Sequence, residues 1–168
     1  MDSPCRSASA FNHAHNHQRC IRDALHTAEK LCADRSCRLT PVRKQVLELV
    51  WQSHKPLGAY QLLSQLAEAG FNSAPPTVYR ALEFLQEQGL VHRIASLNAF
   101  IGCCVPEQTH QGYFLLCRAC GSAHELDAAP LSRTLREQAA SQGFAVESET
   151  VELSGLCPSC REQTAHER

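Results

Sequence analysis

The sequence of 168 residues predicts an α+β protein in two parts: an N-terminal winged helix-turn-helix and a small C-terminal α/β domain with a structural four-cysteine zinc. Apolar residues recur at helical spacing up to Gly89, and beyond Gly89 apolar and polar residues alternate as in strands. Two C-x-x-C pairs lie in the C-terminal part of the sequence. We therefore expect a disordered tail at 1–17, domains at 18–103 and 111–168, and a hinge at 104–110.

Four helices are predicted in the N-terminal half. The first covers residues 18–34, and the second begins at Thr40 and Pro41, an N-cap residue followed by a proline suited to the first turn. The third runs from Ala59 to Ala69, and the fourth runs from Pro75 to Gly89. Their inward positions are Ile21, Leu25, Ala28 and Leu31 or Cys32; Val42, Val46, Leu49 and Val50; Leu62, Leu63 and Leu66; and Val78, Leu82 and Leu85.

A hairpin is predicted after the fourth helix. The segments LVHRIA and AFIGCC are short, rich in strand-forming residues, and separated by Ser96, Leu97 and Asn98. Three helices followed by a hairpin are typical of a winged helix, whose last helix enters the major groove of DNA. That places Thr77, Tyr79 and Arg80 toward DNA, because their neighbours Val78 and Leu82 point inward. Tyr60, at the start of the preceding helix, is a further candidate.

The C-terminal half alternates strand and helix patterns in the order β-β-α-β. The expected elements are strands at Tyr113–Cys117 and Ser122–Asp127, a helix at Pro130–Gln142 with Leu131 and Leu135 inward, and a third strand at Phe144–Leu153. The alternation in the third strand slips phase between Val146 and Val151, which indicates a bend or bulge.

The two C-x-x-C pairs are the strongest chemical signal in the sequence. Cys117 with Cys120, and Cys157 with Cys160, each allow two thiolates to point at one ion from a tight turn. Four thiolates close a tetrahedral site, so we expect a structural zinc without catalytic activity. The alternatives are a redox C-x-x-C or unrelated buried cysteines; a redox motif would lie between a strand and a helix, not between two strands.

Composition indicates a cytoplasmic protein and excludes few functions. The N-terminus is polar, without the apolar core of a signal peptide, and ten cysteines in a reducing compartment favour metal binding over disulfides. Residues 38–95 carry six Lys/Arg against four Glu, whereas residues 96–168 carry five Arg against nine Asp/Glu. The N-terminal half is therefore better suited to meet phosphate, although its excess of +2 is too small to establish DNA binding.

Three short motifs accompany the two cysteine pairs: Leu39-Thr40-Pro41-Val42-Arg43, Pro76-Thr77-Val78-Tyr79-Arg80-Ala81-Leu82 and Leu90-Val91-His92. Together they resemble the ferric uptake regulator family of bacterial metal sensors, and most closely its zinc-sensing branch. The similarity covers about residues 20–160. The resemblance implies a zinc-responsive repressor that pairs as a homodimer through its C-terminal domain and binds palindromic operator DNA to control zinc-uptake genes. It implies neither a membrane partner nor a small organic substrate.

The resemblance also implies a second, regulatory zinc in each chain, held between the two domains. Its ligands carry over to His92, Cys103, His110 and Glu125. Two nitrogens, one sulfur and one oxygen suit zinc. Cys104 adjoins Cys103, and strand register alone decides which sulfur points at the metal.

Two other functions stay open at this stage. A sensor of iron, manganese or peroxide from the same family is one, although the run from His110 to Gly112 lacks the His-x-His pair more typical of iron sensors. A zinc-dependent hydrolase is the other, although the sequence has no H-E-x-x-H or G-x-S-x-G motif. A protein-binding zinc ribbon would leave the winged helix unexplained.

Overall fold

The computed structural model describes residues 11, 17–71, 74–106, 112–126 and 129–166. Its helices are α1 (His17–Asp34), α2 (Pro41–Trp51), α3 (Ala59–Glu68), α4 (Pro75–Glu87), α5 (Ala129–Ser141) and α6 (Pro158–His166). Its strands are β1 (Leu57–Gly58), β2 (Val91–Ile94), β3 (Ala99–Gly102), β4 (Tyr113–Cys117), β5 (Ala123–Glu125) and β6 (Val151–Gly155). Most of the predicted tail and residues 107–110 of the predicted hinge lie outside the described residues. Within them, no helix has the combination of length and apolar character needed to cross a bilayer.

The four N-terminal helices form where the sequence predicts them. The side chain of Thr40 accepts a hydrogen bond from the backbone N–H of Arg43, 3.5 Å away, so it caps α2 as expected. Val46, Leu62, Val78 and Leu85 from three different helices are at most 1% exposed in one shared core. The apolar spacing therefore places these helices around a common centre.

The predicted hairpin is confirmed, and both of its faces are used. Strand β3 lies between β1 and β2 in an antiparallel sheet, with His92 opposite Ile101 and Ile94 opposite Ala99. All four residues of β3 are buried, because one face of the hairpin packs on the helical core and the other packs on the C-terminal sheet. The second face contributes Ile94 and Ile101 to a small cluster with Phe114, Leu116 and Ala123.

The C-terminal sheet has the order β5-β4-β6. Strand β4 pairs antiparallel with β5 and parallel with β6. The predicted third strand at Phe144–Leu153 is wrong in its bounds: only Val151–Gly155 pair with the sheet. The physical reason is length, since β4 offers five residues, Tyr113–Cys117, and β6 matches them one to one.

The predicted inward face of α5 is also wrong within this chain. Leu131 and Leu135 are each 42% exposed, and α5 has no buried residue. The helix instead makes polar contacts with one carboxylate: Glu149 accepts a hydrogen bond from Ser132, and Arg136 Nε lies 3.2 Å from Glu149 Oε2. Tyr113 Oη of β4 donates to the same carboxylate at 2.8 Å. An apolar stripe predicts a covered face, but it does not say which molecule covers it.

The hairpin approaches α2 so closely at Gly102 that no side chain fits there. A Cβ added at this position would lie 2.3 Å from the indole ring of Trp51. We predict that Gly102→Ala lowers the free energy of unfolding by about 1–3 kcal/mol, the usual cost of overpacking. Gly155→Ala is the control, because a Cβ there meets nothing within 4 Å. Equal urea midpoints for the two variants would contradict the prediction.

Candidate metal centres

The four cysteines of the C-x-x-C pairs converge at one end of the C-terminal sheet. Cys117 ends β4, and the parallel pairing of β6 with β4 sets it opposite Gly155, two residues before Cys157. The four sulfur atoms all lie within 4.8 Å of one another, and those of Cys120 and Cys157 are 3.9 Å apart. The spacing seen in the sequence thus becomes a compact set of four soft ligands, which fits a tetrahedral zinc.

Backbone N–H groups prepare this cluster for a cation. Burial raises the pKa of the Cys117 thiol, but the N–H groups of Cys120, Cys157 and Ala119 outweigh it and lower that pKa to about 6. The N–H of Cys157 lies 3.3 Å from Cys117 Sγ. Contact with Cys157, followed by burial, raises the pKa of Cys160 to about 12. Contact with the Ser122 hydroxyl also lowers the pKa of Cys120, so thiolates form readily at two of the four positions. The remaining protons would leave when a divalent ion compensates the negative charge.

A second group of candidate ligands lies between the two halves of the chain. His92 comes from β2, Cys103 follows β3, and Glu125 ends β5, and one ligand atom of each lies within 4.8 Å of the other two. His92 Nε2 is 2.9 Å from Glu125 Oε1, and the side chains are 16% and 7% exposed. The structure thus brings together three of the four residues carried over from the family. The fourth, His110, lies outside the described residues.

The register of the hairpin distinguishes Cys103 from Cys104. Cys103 is 2% exposed and joins His92 and Glu125, whereas Cys104 is not in that group. The backbone N–H of Cys104 donates to Glu125 Oε2 at 3.2 Å. In the same way the N–H of Val105 donates to Cys103 Sγ at 3.4 Å. Sequence reasoning missed these two donors because a backbone N–H leaves no signal in residue identity.

The residues expected to face DNA are all on the surface. Tyr60 is 78% exposed at the start of α3, and Tyr79 is 44% exposed in the first turns of α4. Thr77 and Arg80 are exposed on the same part of α4, whereas Val78 between them is buried. Nearby Arg43 is already engaged, since its guanidinium lies 3.5 Å from the centre of the Phe84 ring.

Comparison with known proteins gives three related findings. The ferric uptake regulator family model matches residues 34–154. The zinc uptake regulation protein of Escherichia coli (strain K12) is 41% identical over 145 residues, which are 86% of this chain and 85% of that protein. A solved structure of a zinc uptake regulator complexed with zinc and DNA is 41% identical and covers 86% of this chain and 97% of its own, with a TM-score of 0.82.

A second solved structure, holo XcZur, is 40% identical and has a TM-score of 0.78, covering 83% of this chain and 98% of its own. Scores of this size over most of both chains require a similar arrangement of the two halves. The wing and the C-terminal sheet of this chain are therefore arranged much as in the zinc- and DNA-bound relative.

Proposed function

This chain belongs to the ferric uptake regulator family, and we propose that it is a zinc-responsive transcriptional repressor. In this proposal the zinc-loaded homodimer binds palindromic operator DNA and controls genes for zinc uptake. The observation that carries the proposal is the group of His92, Cys103 and Glu125, which spans the wing and the C-terminal sheet. The names of the relatives, which are zinc uptake regulators, support zinc as the sensed metal.

The residues of this group would set the angle between the halves. His92 and Cys103 belong to the wing, and Glu125 belongs to the C-terminal sheet. Bound zinc would supply a positive charge to which all of these ligands can donate an electron pair. His110 is the proposed fourth ligand; the described chain resumes at Gly112, where an added Cβ would lie 3.6 Å from His92 Nδ1. With a fixed angle, the two winged helices of the dimer can bind both half-sites of a palindrome at once. By linkage, DNA would increase zinc affinity by the same factor by which zinc increases DNA affinity.

The cluster of Cys117, Cys120, Cys157 and Cys160 would hold the other zinc, a structural one. All four of its residues belong to the C-terminal half, so this ion would stabilise that half without linking it to the wing. Each chain would then hold two zinc ions, one tightly and one exchangeably. A thiolate in the second group favours zinc over iron or manganese.

The exposed leucines of α5 support the homodimer. Leu131 and Leu135 are four residues apart, so they form one stripe that stays partly exposed among the described residues. Phe144 and Leu153, 66% and 51% exposed, add apolar surface in the same half. Burying such side chains against a second copy would remove them from water, which is the main driving force of association.

Replacing Cys103 and Cys104 separately by serine tests the regulatory ligand set. We expect Cys103→Ser to keep the tight zinc and to lose the exchangeable one. The variant should also lose the zinc-dependent increase in operator affinity, which is about 5–150-fold for typical coupling of this kind. Cys104→Ser is the matched control and should keep both ions, because Cys104 is not a member of the ligand group and the substitution keeps the backbone N–H that donates to Glu125. Zinc stoichiometry by colorimetric titration and operator binding by fluorescence anisotropy measure these effects. Retention of two ions in the Cys103→Ser chain would contradict the assignment.

Arg80 tests the recognition helix. We expect Arg80→Ala to weaken operator binding by about 1–3 kcal/mol and to reduce discrimination against a scrambled duplex, as for a bidentate contact to guanine. Arg161→Ala, which removes an exposed arginine of α6, is the control. Equal losses on both duplexes would indicate a phosphate contact instead of base reading.

Leu135 tests the homodimer. We expect Leu135→Asp to weaken dimerisation by about 30-fold or more, the effect of removing an interface hot spot. The control is Leu97→Asp, which alters a leucine 53% exposed at the tip of the wing. Sedimentation equilibrium gives both dissociation constants, and an undisturbed Leu135→Asp dimer would mean that another surface pairs the chains.

A further inference from the structure

One row of three residues across the C-terminal sheet faces the wing. Phe114 in the central strand β4 has Glu125 opposite it in β5 and Glu152 opposite it in β6. Residues directly opposite one another on neighbouring strands lie on the same face of a sheet. Glu125, Phe114 and Glu152 therefore form one line, with a carboxylate at each end and an aromatic ring between them.

Each member of this row contacts a successive part of the wing. Glu125 Oε1 lies 2.9 Å from His92 Nε2. The ring of Phe114 lies 5.5 Å from that of His92, edge to face, and packs in one cluster with Ile94. Beyond Ile94 the wing turns, and Glu152 contacts this turn.

Glu152 accepts two hydrogen bonds from the backbone of the turn. The N–H of Ala95 donates to Oε1 at 2.6 Å, and the N–H of Ser96 donates to Oε2 at 3.2 Å. Burial raises the pKa of this carboxyl, but hydrogen bonds from the Ser96 side chain and from the two N–H groups outweigh it and lower the pKa. An ionised carboxylate makes stronger hydrogen bonds than a neutral group.

We propose that Glu152 is a positioning residue that fastens the tip of the wing to the C-terminal sheet without any metal. Glu125 would join the same two parts through the regulatory zinc, at the other end of the row. The inference rests on the proposed function, because it assigns Glu152 a share in the zinc-dependent domain angle. Membership of the family supports the regulatory site, whereas the role of Glu152 rests on its two hydrogen bonds with the turn.

Such a contact changes zinc affinity at a distance. If the ligands of the regulatory site meet only when the wing lies against the sheet, the apparent dissociation constant for zinc equals the intrinsic one divided by the fraction of molecules in that arrangement. Removing the Glu152 contact lowers this fraction, so zinc binds more weakly although no ligand has changed. A large excess of zinc restores the arrangement and with it DNA binding.

The experiment compares full-length dimers that retain the tight zinc: wild type, Glu152→Gln, Glu152→Ala and, as control, Glu147→Gln. Glu147 is an exposed carboxylate on the segment just before β6. Zinc affinity of the exchangeable site is measured by competition with a fluorescent chelator, and operator binding is measured at limiting and at saturating zinc. Hydrogen exchange at the amides of Ala95 and Ser96, without exchangeable zinc, reports the contact itself.

We expect Glu152→Ala to weaken exchangeable zinc binding about 10-fold, the scale of one charged hydrogen bond, with an unchanged number of ions. Operator binding should fall at limiting zinc and recover at saturating zinc. The amides of Ala95 and Ser96 should exchange faster than in the wild type. Glu152→Gln keeps the shape and one acceptor oxygen, so it should give a smaller effect of the same kind, and Glu147→Gln should behave as wild type.

Unchanged zinc affinity in both Glu152 variants, or unchanged exchange at Ala95 and Ser96, would overturn the proposal. A loss of operator binding that saturating zinc does not restore would also overturn it, since that result indicates a contact of Glu152 with DNA or a general loss of structure. Failure of the proposed function is a separate result: the wild type would then bind operator equally with and without exchangeable zinc. The hydrogen-exchange comparison would still decide whether Glu152 fastens the wing.

Discussion

The arrangement of this molecule depends on the alternation of side chains along a short hairpin. Successive residues of a strand point to opposite faces. In β2, Val91 packs on the helical core, whereas His92 and Ile94 point toward the C-terminal sheet. In β3, Phe100 and Ile101 divide in the same way. The wing thus belongs to two cores, and any ligand borne on its second face lies between the two halves of the chain.

The two groups of candidate metal ligands differ in the parts of the chain that they connect. All four members of the thiol cluster come from the C-terminal half, so an ion bound there would stabilise that half alone. The group that contains His92 and Glu125 connects separate halves, so an ion bound there would stabilise their relative position. A sensor needs both properties at once: a framework that persists when the signal is absent, and a joint that responds to it.

Much of the fold could be predicted because local patterns determined it. Helical spacing and the Thr40-Pro41 start signal located α2, and the two C-x-x-C pairs identified their cluster from spacing alone. Where partners come from distant parts of the chain, the sequence was a poorer guide. The length of β6 depends on β4, and the choice between Cys103 and Cys104 depends on strand register. The apolar stripe of α5 predicts that Leu135 is covered by another apolar surface, but it does not tell whether that surface belongs to the same chain.

The two backbone hydrogen bonds at the interdomain group have a consequence for sequence variation around it. The donors to Glu125 and to the sulfur of Cys103 are main-chain N–H groups, at positions 104 and 105. Every substitution other than proline at those two positions keeps the N–H, so the orientation of both proposed ligands would tolerate sequence change there. Replacing a ligand side chain, such as a thiol by a carboxylate, would then alter the metal preference of the proposed site while the backbone around it stays in place.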